Sequence, residues 1–571
     1  MAQEASPSSI GGLPGANQPT LDYWDLRVQQ NEELYIPPTL ERPLGEDAGP
    51  RIMVNQITLD IEPRLEGLID PELRSLLNRS LTNHVIENQQ QGFTIGRLEN
   101  VANDVTDILR DGGFILSLAY LPEQSVENQT VSISVLSGRL ENVTVDGNNR
   151  YSVERLLAPF DSLMGLPVVK SDVEQSILAV RNYPGLSTSA VFSPGDALGG
   201  SKLTLRVSED PFDFAFIADN HGTESTGENR LRADLYFNNL FGAADSLTAN
   251  ILQTFDPAEN TYGGFLYEVP LFGHDNRLSL AYSRNSFEVA QGFAAGVGIG
   301  GSNLTGETDI VSVGFRRNLR LARRSRMDLG IDIATKDAEL LNLGFDSGDK
   351  LSVISLDFSA EAVDDFASGG INQLQIRYSQ GLADFLGSMD EQGDGISTRR
   401  GGSGVQAGGD FSKVLARYQR LQRVSASNSL LIRVEAQFSD DLLTSLEQVV
   451  LGGPNNVRGY PIAQFLVDEA AFASLEWIVD LSQMFGEGGG NTRYSLSFFG
   501  DYSLGMINDP LPAEADDVDL GGWGVGFSIA HTTDSGNRFL LKIEGAEPIT
   551  ELDFIEQDSS QVFATLSYSF N

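Results

Sequence analysis

The fold is decided by residues 430–438, Leu430-Leu431-Ile432-Arg433-Val434-Glu435-Ala436-Gln437-Phe438. Each even-numbered position carries an apolar side chain, whereas Arg433, Glu435 and Gln437 stand at odd-numbered positions. Successive side chains of a β-strand point to opposite faces, so this alternation predicts a strand with one apolar and one polar face.

The same alternation recurs through the carboxy-terminal half of the chain. It is seen at residues 231–237, 277–284, 326–333 and 373–378, and again in the last segment, 561–570. From Phe212 onward there are about sixteen such segments, at about 22 residues for each strand and turn. Strands of about 8 to 12 residues exceed the usual length in soluble sandwiches. The sequence therefore predicts a mainly β protein with a 16-stranded antiparallel transmembrane β-barrel over residues 210–571. Trp477 and Trp523 fall on the apolar phase, where an interfacial aromatic girdle would place them.

Composition excludes several classes of function. The chain has 571 residues, 79 acidic against 39 basic, and a formal charge of −40, which would repel a nucleic-acid backbone. It has no cysteine, so thiolate catalysis and thiolate metal sites are excluded. No window of 18 uncharged apolar residues occurs, which argues against a membrane-spanning helix. Residues 2–7 are interpreted as the start of a mature chain from which a signal peptide has been removed.

The amino-terminal half has a different pattern. Residues 51–137 read as a strand, two helices and two short strands, and residues 138–209 repeat this order. Gly112-Gly113 is expected to end the second helix of the first module. Residues 1–50 are interpreted as a linker preceded by a short helix at 20–34.

Residues of both halves resemble one family. The stretches that carry the resemblance are 113–124, 131–135, 138–140 and 145–148 in the first half, and 219–222, 225–227 and 239–242 at the start of the barrel. They are similar to the TpsB transporters of two-partner secretion, of the hemolysin secretion and activation type, which belong to the BamA-like superfamily. The resemblance implies two polypeptide-transport-associated (POTRA) domains, at 51–137 and 138–209, in the periplasm and a barrel in the outer membrane of a Gram-negative bacterium. In this family a helix such as 20–34 can thread the barrel as a plug; the alternative is an unstructured terminus.

The predicted loop 439–470 carries Val457-Arg458-Gly459-Tyr460, which is similar to the motif at the tip of the long sixth extracellular loop of this superfamily. The resemblance implies that this loop folds back into the barrel lumen, where the arginine meets an acidic residue of the inner wall. The expected partner motif is Phe499-Gly500-Asp501 in the thirteenth strand, with Ser503 where glycine is usual. Alternation in that strand places Asp501 on the lumenal face. The loop motif is thus predicted to act as a lock.

The implied function is transport without chemistry. The partner would be a secreted, β-helix-forming exoprotein of the TpsA type, in unfolded form, which adds a strand to an exposed POTRA sheet edge. The edge residues expected to bind it are Phe114, Ile115, Leu116, Leu118, Leu121, Ser187, Ser189 and Val191. The barrel would also contact outer-membrane lipids, and the chain is expected to act as a monomer.

No catalytic constellation, cofactor motif or metal-ligand spacing is found, so we expect neither an enzyme nor a cofactor or metal. Two alternatives remain at this point. One is a barrel-assembly factor of the same superfamily, which usually carries three or more POTRA domains. The other is a passive porin, which would not need tandem periplasmic modules.

Overall fold

A computed structural model describes residues 49–223, 226–255, 260–289, 304–342, 345–484, 491–512, 516–550 and 560–570. The chain divides between Glu209 and Asp210 into two compact units. The expected plug helix at 20–34 lies outside the described residues. Within those residues, no helix has both the length and the apolar character needed to cross a membrane.

The first module of the amino-terminal unit is a three-stranded sheet covered by helices. Its elements are β1 Gln56–Ile61, α1 Pro63–Glu66, α2 Pro71–Asn88, α3 Ile95–Asp111, β2 Leu118–Tyr120 and β3 Thr130–Leu136. The sheet order is β1-β3-β2, so β2 is an edge strand. Asp70 caps α2 by accepting a hydrogen bond from the Leu73 backbone N–H at 2.7 Å. The predicted order of strand, two helices and two strands is confirmed, with the short α1 as an addition.

One predicted strand of this module is wrong in extent. The edge residues expected between Phe114 and Leu121 do not all lie on a strand, because only Leu118–Tyr120 is extended. The chain leaves α3 through a turn in which the Phe114 N–H donates to the Leu109 carbonyl at 3.0 Å. Phe114 then packs into the apolar core, and Ile115 is also buried. Both side chains are therefore buried, and neither is available on the sheet edge.

The second module repeats the arrangement. Its elements are β4 Arg139–Asp146, α4 Val153–Leu157 continued by a 3₁₀ turn at Ala158–Leu163, α5 Lys170–Arg181, β5 Leu186–Pro194 and β6 Gly200–Glu209. The sheet order is β4-β6-β5, which makes β5 an edge strand along its whole length.

Glu62 joins the two modules. Its carboxylate accepts hydrogen bonds from the Ser137 hydroxyl at 2.8 Å and from the Arg139 guanidinium at 2.6 Å. Partial burial would raise the pKa of Glu62, but these two bonds and the Arg139 charge outweigh it and hold the pKa below its usual value. The ionised carboxylate therefore fixes the start of the second module to the end of β1.

The carboxy-terminal unit is a closed antiparallel barrel of sixteen strands. In chain order they are β7 Phe212–Asp219, β8 Asn229–Asn238, β9 Ser246–Phe255, β10 Asn260–Pro270, β11 Asn276–Val289, β12 Leu304–Ala322, β13 Ser325–Asn342, β14 Phe345–Asp364, β15 Gly370–Gly381, β16 Ser412–Arg423 and β17 Asn428–Phe438, then, after β18 Val449–Leu451 and β19 Phe465–Val467 of the loop, β20 Glu469–Asp480, β21 Thr492–Met506, β22 Asp517–Thr532, β23 Arg538–Pro548 and β24 Gln561–Phe570. The last strand closes on the first, with Thr565 opposite Asp219 and Phe570 opposite Phe214. The predicted fold class and strand count are confirmed.

Alternation works in the barrel as expected. Trp477 and Trp523 are half-exposed on the outer face, whereas Asp501 is buried on the inner face. The long loop follows the eleventh strand, β17, and spans residues 439–468, two residues shorter than predicted. The strand opposite its tip, β21, is the thirteenth, as predicted.

Candidate functional site: the inward-folded loop

The loop between β17 and β20 enters the barrel as a small hairpin. Strands β18 and β19 pair, with Val449 opposite Val467. Gly452 and Gly453 follow β18, both at a φ of +93°, a backbone conformation that side chains other than glycine rarely adopt. The tip is then closed by a turn in which the Tyr460 N–H donates to the Val457 carbonyl at 3.2 Å. This places Arg458 at the innermost point of the hairpin.

Arg458 uses all five of its N–H donors. Nε and Nη2 bind the two oxygens of Asp501, each at 2.8 Å, in a bidentate pair. Nη1 donates to Glu476 at 2.9 Å and to Glu544 at 2.8 Å, and Nη2 also reaches the Ser474 hydroxyl at 3.3 Å. Only 1% of the arginine is exposed. Breaking a buried, fully bonded ion pair by removing one partner costs about 3 to 5 kcal/mol, so this contact is strong enough to hold a loop.

The charges around the tip are balanced. Lys542 lies 3.0 Å from Glu544, and Arg433 donates to Ser474 at 3.1 Å. Together with Arg458 these cations match the three carboxylates of the cluster. The guanidinium of Arg458 also lies 3.3 Å from the ring centroid of Phe499, a cation–π contact. Phe499 therefore contacts the face of the guanidinium group, while Asp501 accepts hydrogen bonds from its N–H groups.

The tip fits because the wall strand beside it, β22, presents glycines to the lumen. Gly522, Gly524 and Gly526 of β22 face the lumen, each paired with an inward residue of β21. A Cβ on Gly522 would lie 3.1 Å from the Gly459 backbone nitrogen, and one on Gly459 would lie 2.8 Å from the Glu547 carbonyl. Glycine is needed at these positions for close approach of backbone to backbone. Tyr460 completes the contact through its hydroxyl, which donates to the Thr550 carbonyl at 2.7 Å.

Substitution of Gly524 in β22 tests whether this part of the wall needs glycine. In Gly524→Ala the added Cβ would lie 2.3 Å from the Gly545 carbonyl and 2.4 Å from the Phe499 ring, so we expect a destabilisation of about 1 to 3 kcal/mol. Gly500→Ala is the matched control, because a Cβ there meets nothing within 4 Å. Urea unfolding of the refolded barrel, followed by tryptophan fluorescence, would measure both. Equal midpoints for the two variants would contradict the role given to Gly524.

A second buried ion cluster holds the stem of the loop. One carboxylate oxygen of Glu447 lies 2.6 Å from Lys336 Nζ of β13. The other oxygen lies 2.8 Å from Lys413 Nζ of β16. Lys413 also donates to the Glu447 backbone carbonyl at 2.7 Å. All three side chains are buried. The loop is thus fastened at its stem to one part of the wall and at its tip to another.

Asp468 connects the loop to its neighbours. Its carboxylate accepts two hydrogen bonds, at 2.5 and 2.7 Å, from the guanidinium of Arg399. Arg399 lies in the loop between β15 and β16. Asp468 also accepts the Asn508 N–H at 2.8 Å, from the loop after β21, and the Leu443 N–H at 3.1 Å. One buried carboxylate therefore connects the β17–β20 loop to the β15–β16 loop and to the loop after β21.

The structure brings the predicted lock residues together, apart from Gly500. Val457, Arg458, Gly459 and Tyr460 form the tip, and Phe499 and Asp501 contact it. Gly500 points to the outer face, opposite Trp523, and takes no part. Ser503, which stands where the family usually has glycine, is buried, and its hydroxyl has no hydrogen-bond partner among the described residues.

Sequence reasoning missed the stem cluster and most of the tip's counter-charges. Glu476 and Glu544 lie on the inward phase of β20 and β23, so strand alternation could have marked them as lumenal acids. Nothing in the sequence pattern distinguishes Glu447, because it lies in irregular chain.

The predicted exoprotein-binding residues fall into two groups. Leu118 is on the edge strand β2, and Ser187, Ser189 and Val191 are on the edge strand β5. Leu116 and Leu121 flank β2, outside its bounds, and Phe114 and Ile115 belong to the interior.

Two known families match stretches of this chain. The family described as haemolysin secretion/activation protein ShlB/FhaC/HecB matches residues 199–528, and the ShlB-type POTRA domain matches residues 66–138. The chain belongs to the haemolysin secretion/activation family. It is an outer-membrane transporter of the two-partner secretion type that translocates an exoprotein, with its POTRA domains in the periplasm.

Relatives of this family member include transporters from several bacteria. The chain is 25% identical to the outer membrane transporter CdiB of Escherichia coli, over 76% of this chain and 70% of that one. It is 21% identical to the heme/hemopexin transporter protein HuxB of Haemophilus influenzae, over 82% and 80%. A solved structure of CdiB from Escherichia coli superposes with a TM-score of 0.69 over 93% of both chains, at 20% identity. A BamA structure from Haemophilus ducreyi lacking POTRA domains 1–3 gives 0.53 at 15% identity, over 91% of this chain and 100% of that one, and shares the fold.

Proposed function

We propose that this family member binds its exoprotein in unfolded form at a POTRA sheet edge and passes it through the barrel lumen, along a pore that the locked inward loop helps to define. The observation that carries the proposal is the inward loop fastened by Arg458, which lies in the lumen that a translocating chain would pass through. No step in this path requires chemical catalysis or a cofactor. One chain supplies all sixteen strands of the closed barrel, which supports a monomer as the working unit.

Strand β5 is the edge we assign to the exoprotein. Its nine residues pair with β6 on one side only in the sheet of the second module. The unpaired backbone groups can accept an added strand with little demand on sequence, and the half-buried Ser189 and Val191 would contact alternate side chains of that strand. The edge of β2 is shorter, with three residues, so it offers fewer backbone hydrogen bonds.

The absence of cysteine in the sequence allows a clean test of this edge. Ser189→Cys, labelled with a photoreactive maleimide, should cross-link in the periplasm to the secreted protein that disappears from the medium when this transporter is deleted. Thr144→Cys on β4, an exposed position on the opposite edge of the same sheet, is the matched control. We expect the β5 label to capture that protein several-fold more than the β4 label does.

Two results would contradict the proposal. Equal capture by both labels would argue against β5 as the docking edge. Capture of outer-membrane barrel precursors in place of the secreted protein would favour the assembly-factor alternative.

A further inference from the structure

We propose that the lipid-facing surface at the periplasmic end of β12 and β13 binds the phosphate group of an anionic glycerophospholipid. The site is formed by Arg317, Arg320 and Arg323, which we call the arginine rim. It does not depend on which protein is transported.

The arginine rim lies in the most basic stretch of an acidic chain. Residues 316–326 contain six arginines and no acidic residue, within a protein of formal charge −40. Random placement of 39 basic residues among 571 would put fewer than one in such a stretch. The local charge therefore opposes that of the rest of the molecule.

The six arginines differ in whether they have an internal partner. The lumenal Arg316 lies 3.5 Å from Glu268, the lumenal Arg326 lies 2.6 Å from Asp328, and Arg324 in the turn binds Asp365 at 2.6 Å. In the described part of the chain, none of the rim arginines has an ion pair or a side-chain hydrogen bond, and all three are exposed. The side chain of the nearby Asp275 lies 3.2 Å from the His274 ring. The internal carboxylates are thus used by the other three arginines, and the rim arginines are left for an external anion.

Strand register places the rim on the outer face. Arg317 lies opposite Leu329 and Arg320 opposite Met327, across a bulge at residue 319, and both partners belong to the outward apolar phase of β13. Arg323 follows in the turn to β13. Because β7 follows the periplasmic modules directly and strands alternate in direction, the sixth strand, β12, ends at the periplasmic side.

The rim also stands at the border of the apolar band. Going up β12 from Arg317, the outward residues are Phe315, Val313 and Val311, and the next is Asp309. Eight residue steps separate Asp309 from Arg317, about 26 Å along the strand, which at the usual strand tilt of about 40° is about 20 Å of height across the membrane. The outward apolar band of an outer-membrane barrel is about 25 Å tall, so Asp309 and Arg317 lie close to its two borders. Arg317 and Arg320 therefore lie at the level of the periplasmic-leaflet headgroups.

Exposed apolar side chains flank the rim. Phe272, in the turn before β11, is 86% exposed, and Phe366, in the turn after β14, is 74% exposed. Leu319, at the bulge between two rim arginines, is 52% exposed. Aromatic side chains at this level lie among headgroups and upper acyl chains. Apolar contacts beside unpaired guanidinium groups fit a molecule that carries both acyl chains and a phosphate, and guanidinium binds phosphate oxygens in a bidentate manner.

Native mass spectrometry of the full chain, refolded in detergent, tests the site. The protein is incubated with equal amounts of phosphatidylglycerol and phosphatidylcholine, and the retained lipids are counted. The test variant is Arg317→Gln, Arg320→Gln and Arg323→Gln together. The control is Arg79→Gln, Arg206→Gln and Arg400→Gln, which removes three exposed arginines that lie away from the periplasmic end of the barrel strands.

Each basic residue at an anionic membrane surface changes the binding constant about fivefold, so we expect the test variant to bind phosphatidylglycerol about tenfold or more weakly. The control variant should bind as the unchanged protein does. A variant with lysine at the three rim positions should retain most binding, which separates loss of charge from loss of folding.

Several results would overturn the proposal. These are unchanged phosphatidylglycerol retention in the test variant, an equal loss in the control, or equal retention of phosphatidylcholine by the unchanged protein. Displacement of the lipid by millimolar inorganic phosphate would show that the rim recognises free phosphate instead. Loss of exoprotein binding with unchanged lipid retention would assign the surface to the transported protein.

Discussion

Arg458→Ala is expected to abolish secretion while the barrel remains inserted in the outer membrane. The substitution leaves Asp501, Glu476 and Glu544 as three carboxylates that have lost their shared cation. Loss of one partner of such a buried cluster costs about 3 to 5 kcal/mol, enough to change the population of the locked loop by a factor of about 100 or more. The amount of exoprotein in the medium, and the heat-modifiable mobility of the barrel on gels, would measure the two effects separately.

The matched control is Arg417→Ala. Arg417 is also a lumenal arginine with a carboxylate partner, Glu435, at 2.8 Å, but both side chains are partly exposed. Exposed pairs contribute about 0 to 1 kcal/mol, so secretion by this variant should be close to normal. The double variant Arg458→Ala with Asp501→Ala should be less destabilised than the sum of the single variants, because the two residues share one interaction. Normal secretion by Arg458→Ala would contradict the role of Arg458 in holding the loop. Destabilisation of the double variant equal to the sum of the single variants would contradict it as well.

Glu447→Ala is expected to free the stem of the loop while the tip cluster keeps its bonds. Lys336 and Lys413 are 4% and 7% exposed, and the substitution would leave two buried ammonium groups without their shared carboxylate. We expect a destabilisation of about 3 to 5 kcal/mol. In planar bilayers the channel should show more frequent openings than the unchanged protein, and urea unfolding should have a lower midpoint.

A triple replacement distinguishes lost attraction from stranded charge. With Lys336→Met, Glu447→Leu and Lys413→Met together, no buried charge is left behind, and similar apolar substitutions are often neutral or stabilising. The triple variant should therefore unfold at a higher urea concentration than Glu447→Ala. If it is less stable than the single variant, or if Glu447→Ala conducts and unfolds like the unchanged protein, the stem cluster does not hold the loop.

The barrel could be predicted because strand alternation is a local property. A side-chain period of two shows in a few residues, as in 430–438, and an apolar outer face is required of every strand in lipid. The same rule placed Asp501 on the lumenal face. Phe114 was misplaced because the apolar run 114–116 that follows α3 resembles the start of a strand, although the chain there turns inward and buries that side chain in the core.

The amino-acid sequence by itself determined the sixteen strands, the two periplasmic modules and the loop motif, since each depends on neighbours within a few residues. The tertiary structure decided which charges meet. Arg458 is 43 residues from Asp501 and 86 from Glu544, and Lys336 is 111 from Glu447. Only closure of the barrel and the inward path of the loop bring these groups within hydrogen-bond distance. Buried charges must find partners there because they have lost their contact with water, and the sequence pattern does not encode which partners those are.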